Sequence, residues 1–281
     1  MRRAILLILT CIPVLAIGQD AGSMAIAPAR FELEMKPGSE TTVVVNVDYK
    51  SAGDTTKPAR IVASLNDWTM TREGQVDFFP AGTRGDSASS WMIYSPGEAA
   101  VMPGTVHKIR VTVSVPANAA PGDHVAALII EQRPENLRAA VNARQMVVRY
   151  RMASVFYIKV GGITRKGDLK DLFAEATPDG IVVTPLLSNT GNSVVRPTSS
   201  LAIFDAAGTR VADIPEAESL PVLAASESAQ VLRLDKQLPM GKYTVKYRVD
   251  FQDGRPAVEG LTDLVISAHQ IARGASVPQK P

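Results

Sequence analysis

The chain has 281 residues, one cysteine and a formal charge of +2, with charged residues at 21% and aromatics at 5%. That length allows two domains of ordinary size. A charge so near neutrality, without any long basic run, argues against nucleic-acid binding, and no stretch beyond the N-terminus is long and apolar enough to span a membrane.

The chain opens with Arg2 and Arg3, then an apolar run, Ala4–Ile17, interrupted by Pro13. Ala16-Ile17-Gly18 sets small residues where a signal peptidase reads them. The expectation is a secretory signal over residues 1–18, cleaved before Gln19, with no membrane insertion afterwards. A lipoprotein anchor at Cys11 is the weaker alternative, because Thr10 precedes it and the apolar run ahead of it is short. Cys11 leaves with the signal, so the mature chain is expected to have no disulfide, thiol nucleophile or thiolate metal site. It must be stabilised by burial alone. Losing Arg2 and Arg3 from 30 basic residues matches the 28 acidic ones and leaves the mature chain formally neutral.

From there the pattern predicts strands, with almost no helical periodicity. Met24–Met35 reads as an edge strand carrying Arg30, closed by Lys36-Pro37-Gly38 and followed by Thr41–Tyr49 and Ala59–Met70. A hairpin at Arg72-Glu73-Gly74 leads to Val76–Phe79, then Ser90–Tyr94, Lys108–Val115, His124–Gln132 and a long strand, Gln145–Val160. In Lys108–Val115, Ile109, Val111, Val113 and Val115 share one face while Arg110, Thr112 and Ser114 share the other. That is a sheet with one buried side. Turns at Ser95-Pro96-Gly97 and Met102-Pro103-Gly104 and the loop Pro116–Gly122 fit this layout. Trp68 is expected to be a buried aromatic of this sandwich.

A boundary is expected near Gly161-Gly162. Beyond it the grammar repeats in Ile181–Ser188, the turn Asn189-Thr190-Gly191-Asn192, the hairpin Leu201–Asp205 with Arg210–Ile214, and Ala229–Leu234, Lys242–Phe251 and Ala257–Ser267. Pro185 removes a ladder donor, so its strand is expected at an edge or bulged there. The expected architecture is all-β: two immunoglobulin-like sandwiches in tandem, over 19–161 and 162–268, with a disordered tail at 269–281.

Catalytic chemistry is not signalled. His107, His124 and His269 lie on separate elements without partners at ligand or triad spacing, and no phosphate loop, HExxH or GxSxG occurs. Asp205 and Gly208 lack the further oxygen ligands of a metal loop. No catalytic residue, metal or other cofactor is expected.

Several segments of the first domain resemble the periplasmic pilus-assembly chaperones of the PapD-like family. These are Ile26–Leu33, Asn66-Asp67-Trp68, Val101–Gly104 with Ile109-Arg110-Val111, and the close of Gln145–Lys159 in Val155-Phe156-Tyr157. The resemblance covers most of 24–160; the second domain is similar only in being a second sandwich. It implies a non-enzymatic periplasmic protein that lends a long strand to a secreted pilin-like or surface subunit, with an outer-membrane usher as a further partner. It implies Met146, Val148, Tyr150 and Met152 as donor side chains and Arg30 as a grip on the client's C-terminal carboxylate. The family's second basic residue would fall at Ser154; Arg151 and Arg149 lie nearby, and Arg30 with Arg151 is the expected basic pair, the alternative being a surface Arg30 that pairs with Glu32 or solvent. The alternative is a structural or adhesive cell-surface module binding envelope polymers or proteins, with Trp91 and Tyr94 the few aromatics for a glycan. The scarcity of aromatics favours the chaperone-like reading.

Overall fold

The computed structural model describes residues 23–51, 55–133 and 149–267. Ten strands form the first part: β1 (Ser23–Ala27), β2 (Arg30–Met35), β3 (Glu40–Lys50), β4 (Ala59–Met70), β5 (Val76–Pro80), β6 (Met92–Ser95), β7 (Glu98–Val101), β8 (Val106–Ser114), β9 (Gly122–Arg133) and β10 (Arg151–Val160). They make two sheets. One runs β1-β3-β8-β6; the other runs β2-β10-β9-β4-β5, with β7 also on β4. The expected single strand Met24–Met35 is thus two strands. The chain crosses from one sheet to the other at Pro28-Ala29, where proline offers no ladder donor.

Between these sheets lie the alternate residues that period-two patterning assigns inward, among them Val45, Val47, Ile109, Val111, Val113, Leu128, Ile130, Phe156 and Ile158. Phe31 of β2 stacks on Phe156 of β10 at 4.8 Å.

Eight further strands follow: β11 (Gly167–Thr177), β12 (Gly180–Asn189), β13 (Thr198–Phe204), β14 (Arg210–Glu218), β15 (Ser226–Ala229), β16 (Leu232–Leu234), β17 (Gly241–Asp250) and β18 (Val258–Ile266). One sheet is β11-β12-β15 with β16 also on β12, and the other is β14-β13-β17-β18. Their inner faces enclose a second core around Val183, Leu187, Leu201, Ile203, Val245 and Tyr247. The architecture is all-β, two immunoglobulin-like sandwiches. Pro185 is not at an edge, since its strand is central, but the ladder is irregular beside it: the β11 register shifts between Leu169 and Asp171, opposite Leu187 and Leu186. The proline sits where β15 gives way to β16: β12 pairs with β16 through Ile181–Val183 and with β15 through Leu186–Asn189. Gln230 N donates to Pro185 O across that gap at 3.0 Å.

Trp68 is buried, but not where the sequence reading put it. Ile61, Ala63 and Leu65 of β4 face the first core. Trp68 faces the other way, into a third cluster with Val125, Ala127, Ile129, Tyr157, Val194 and Leu223. Val194 and Leu223 belong to the second sandwich, so this cluster joins the two. The strand β9 is therefore covered on both sides, which is why Val125–Ile130 is an unbroken apolar run. Polar contacts lock the same junction. Asp123 N donates to Asn192 O at 2.8 Å, and Val194 N donates to Asp123 Oδ2 at 2.7 Å. Asn192 Nδ2 reaches Pro121 O and Gly162 O, while its Oδ1 accepts from Thr164 N at 2.6 Å.

Candidate functional site

Strand β10 changes its surroundings part-way along. From Val155 to Val160 it is sandwiched between antiparallel β9 and parallel β2, with Val155 opposite Arg30. From Arg151 to Ser154 it keeps β9 alone, because β2 has not yet begun. Backbone groups of successive strand residues point to opposite sides. Tyr150 O accepts from Gln132 N on the β9 side, and Val155 N donates to Ala29 O on the β2 side, both at 2.9 Å. Hence Arg151 and Ala153 aim their N–H and C=O at the open edge, with no strand partner among the described residues.

Side chains at this edge split by parity. Tyr150 and Met152 are partly buried against the first core, in line with Phe156 and Ile158. Ala153 and Val155 turn towards the second sandwich, in line with Tyr157. Ser154 is fully buried and donates to Pro28 O at 2.8 Å, tying β10 to the crossover of the first strand pair. Of the sequence-predicted donor residues, Tyr150 and Met152 thus flank the open edge, whereas Met146 and Val148 lie outside the described residues.

Arg30 and Arg151 are not neighbours in the register. Arg30 is opposite Val155, so Arg151 lies four residues upstream, roughly 13 Å along the strand. Arg151 is exposed and sits across from Glu131 of β9.

What surrounds Arg30 is a cluster centred on Glu32, its neighbour two residues along the strand. Glu32, on the same outward face of β2, pairs with three cations. Lys159 Nζ lies 2.6 Å from Oε2, Arg196 Nε 2.8 Å from Oε1 and Arg30 Nε 3.3 Å from Oε1. Lys159 is only 7% exposed and Arg196 19%, while Arg30 is about half exposed at 49%. The Arg196 guanidinium also lies over the Tyr157 ring, 5.1 Å from its centre. Burial pushes the Glu32 carboxyl up, but the Lys159 hydrogen bond and the charges of Arg196, Lys159 and Arg30 outweigh it and hold the group below its ordinary value. Burial raises the Tyr157 hydroxyl, with Arg196 opposing.

Arg30, Tyr157 and Arg196 open onto a cavity of about 550 Å³ between the sandwiches, whose apolar wall includes Leu201, Ile214, Leu220 and Leu232. Arg196 is the residue the sequence reading missed. It comes from the second sandwich, far along the chain. Lys159 did carry a signal: it is a lone cation between Ile158 and Val160 in an apolar run.

No protein-family model matches the chain, and no curated protein does. The solved structures similar to it include many pilus chaperones. The chain resembles fimbrial chaperones in structure. A chain of a chaperone–tip adhesin complex of CFA/I fimbriae matches with a TM-score of 0.47 at 11% identity, covering 85% of this chain and 98% of that one. One from the CsuC–CsuE chaperone–tip adhesion subunit complex of Acinetobacter baumannii gives 0.43 at 15%, covering 86% and 98%. The CupB2 chaperone of Pseudomonas aeruginosa gives 0.42 at 12%, covering 86% and 100%.

Among the described residues no group of three His, Cys, Asp or Glu side chains is placed to hold a metal. Asp205 serves its own turn, accepting from Ala207 N and Thr209 N. His124 lies against Trp91, with ring centres 4.3 Å apart.

Proposed function

We propose that the chain is an extracytoplasmic, non-enzymatic chaperone-like protein that binds a β-rich surface or fimbrial subunit by strand addition. The observation that supports this best is the half-open edge of β10. Two residues, Arg151 and Ala153, offer backbone groups that have no strand partner among the described residues, in a ready-made sheet of the kind strand addition uses as a template. Tyr150 and Met152 supply alternate apolar contacts beside it.

The cations select a direction. A client strand running parallel to β10 would continue the line of β2 and finish at Arg30 with its C-terminal end. An antiparallel strand would bring its amino terminus to the same cations. Coulomb repulsion disfavours the second arrangement, and a guanidinium–carboxylate pair favours the first. The partner class is therefore a subunit that presents an apolar, alternating C-terminal strand. The periplasm, reached through the N-terminal signal, is the compartment where such a subunit would be met.

The reading is tested by affinity purification of the tagged protein from its native envelope, with Ala153→Pro alongside. Proline at 153 removes a donor from the open edge only, so the β9 ladder is retained. Capture of one β-rich secreted subunit, lost in Ala153→Pro, is the expected result. A partner held equally by both proteins would contradict it.

A further inference from the structure

The sheet edges of the second sandwich are covered or blunted. β11 and β18 abut so closely that a Cβ at Gly260 would lie 2.6 Å from the Leu169 side chain. β15 is capped by the β4–β5 hairpin, where Ala229 N donates to Arg72 O at 2.7 Å. β14 carries two register shifts, one of them at Pro215, and the Lys236 side chain donates to Val211 O at 2.6 Å. Bulges, prolines and lysines of this kind stop further strands from pairing. In the first sandwich β5 is different. Its register with β4 is unbroken, and no strand lies on its outer side among the described residues. Asp77 is its one charge.

Thr71 N donates to Gln75 O at 2.7 Å, which fixes the parity of the hairpin. Asp77 and Phe79 therefore turn their backbone groups to β4, whereas Val76, Phe78 and Pro80 turn theirs outward. Proline has no N–H, and Pro80 O already accepts from Thr83 Oγ1 at 2.8 Å. The free donors of this edge are thus those of Val76 and Phe78. Both faces beside it are apolar. Val76 and Phe78 share the face of Met70 and Trp68, and Phe79 lies on the other. Val76 is 42% exposed and Phe79 36%. An apolar edge strand with an open ladder is a template for another strand.

We propose that a second copy of this chain covers that edge, β5 pairing antiparallel with β5 about a twofold axis at Phe78. In this register Phe78 meets Phe78 of the second copy, Val76 meets Pro80, and Asp77 meets Phe79. Aromatic pairs across strands are favourable, and the proline without a donor falls at the end of the ladder. An axis at Asp77 instead would set two aspartates face to face, which like-charge repulsion disfavours. The twofold also brings the hairpin tip, with Arg72 and Glu73, towards the loop of the second copy that carries Arg84 and Asp86. Each side offers one charge of either sign, so neither repels the other. Five residues a side are far fewer than the roughly 20–30 of a standard interface, so the dimer is weak and reversible. An isologous pair closes on itself and gives a dimer, not a filament. β9 and β4 separate β10 from β5, so the open half of β10 stays free in both copies. The dimer does not depend on the strand-addition reading.

The test is sedimentation equilibrium of the mature chain at rising concentration, joined to cysteine pairing. Cys11 leaves with the signal, so an introduced cysteine is the only one. The parent should pass from monomer to dimer. Val76→Lys puts a charge on the exposed edge and should move the midpoint to roughly tenfold higher concentration or beyond. Val76→Pro removes an outward donor only and should act likewise, with thermal melts confirming that both variants fold. Ala153→Pro should leave the dimer intact. Directly opposed residues that do not exchange hydrogen bonds lie about 4.5 Å apart at Cα, within disulfide reach, whereas diagonal ones lie about 7–8 Å apart. Asp77→Cys mixed with Phe79→Cys should therefore give a disulfide-linked pair under oxidised glutathione, and Asp77→Cys alone should not. A monomer at every concentration would overturn the proposal. Self-linking of Asp77→Cys would overturn the register. A dimer unchanged in Val76→Lys but lost in Ala153→Pro would place the contact at β10 and overturn the β5 interface.

Discussion

Lys159 of β10 and Glu32 of β2 form an ion pair at 2.6 Å on neighbouring parallel strands, with the lysine almost fully withdrawn from water. A buried ammonium is tolerated only when paired. Glu32→Gln should therefore destabilise the protein by about 2 kcal/mol, less than for a wholly buried pair because Glu32 keeps some solvent contact. Chemical denaturation at neutral pH measures this.

The same carboxylate gives a pH dependence. Its folded-state pKa lies below the ordinary 4.5. Its stabilisation is therefore complete above about 4.5 and is lost as the pH falls through the lower folded value. Unfolding free energies taken from pH 6 downward should fall less steeply in Glu32→Gln than in the parent. Equal slopes would show that the pair does not contribute.

Asp67 makes a third prediction. It is fully buried next to Trp68 and accepts from Thr83 N, Arg84 N, Ser87 Oγ and Ser89 Oγ at 2.5–2.9 Å. One carboxylate thus organises the whole loop from β5 to β6. Burial raises its pKa, yet the Ser87, Ser89 and backbone donors together bring it below its ordinary value. Asp67→Ala strands these donors and should cost about 3 kcal/mol. Amide exchange at Thr83 and Arg84 should accelerate more than in the second sandwich.

The junction between the sandwiches depends on the turn at 189–192. A Cβ at Gly191 would lie 2.2 Å from Thr164 O, a backbone atom that cannot yield cheaply. Gly191→Ala and Asn192→Ala should each loosen the junction, the latter by about 1–3 kcal/mol through its lost hydrogen bonds. Faster proteolysis within 161–166, with both cores still protected, is the expected signature.

Much of the fold was legible because period-two runs such as Ile109, Val111 and Val113 report one buried face directly. The junction was harder to read. Trp68 looked like a core aromatic, and its outward parity becomes visible only when β4 is seen to bury Ile61, Ala63 and Leu65 on the opposite face. The unbroken run Val125–Ile130 did hold a signal, since an antiparallel strand with no polar alternation must be covered twice. Arg30 was singled out by the resemblance of Ile26–Leu33 to the first strand of the PapD-like chaperones. Arg196 could not be found that way, because only tertiary packing of the second sandwich brings it to Glu32. Arg151 was chosen for its nearness in sequence, and the parallel register of β2 and β10 then separated it from Arg30.

The open edge of β10 is tested most directly by residue-resolved amide exchange, with and without a saturating short peptide of alternating Thr and Val that ends in a free carboxylate. Arg151 and Ala153 face the unoccupied side, so both amides should gain strong protection on binding. Met152, already turned towards β9, should change little. Binding of the peptide with no gain at Arg151 and Ala153 would contradict strand addition.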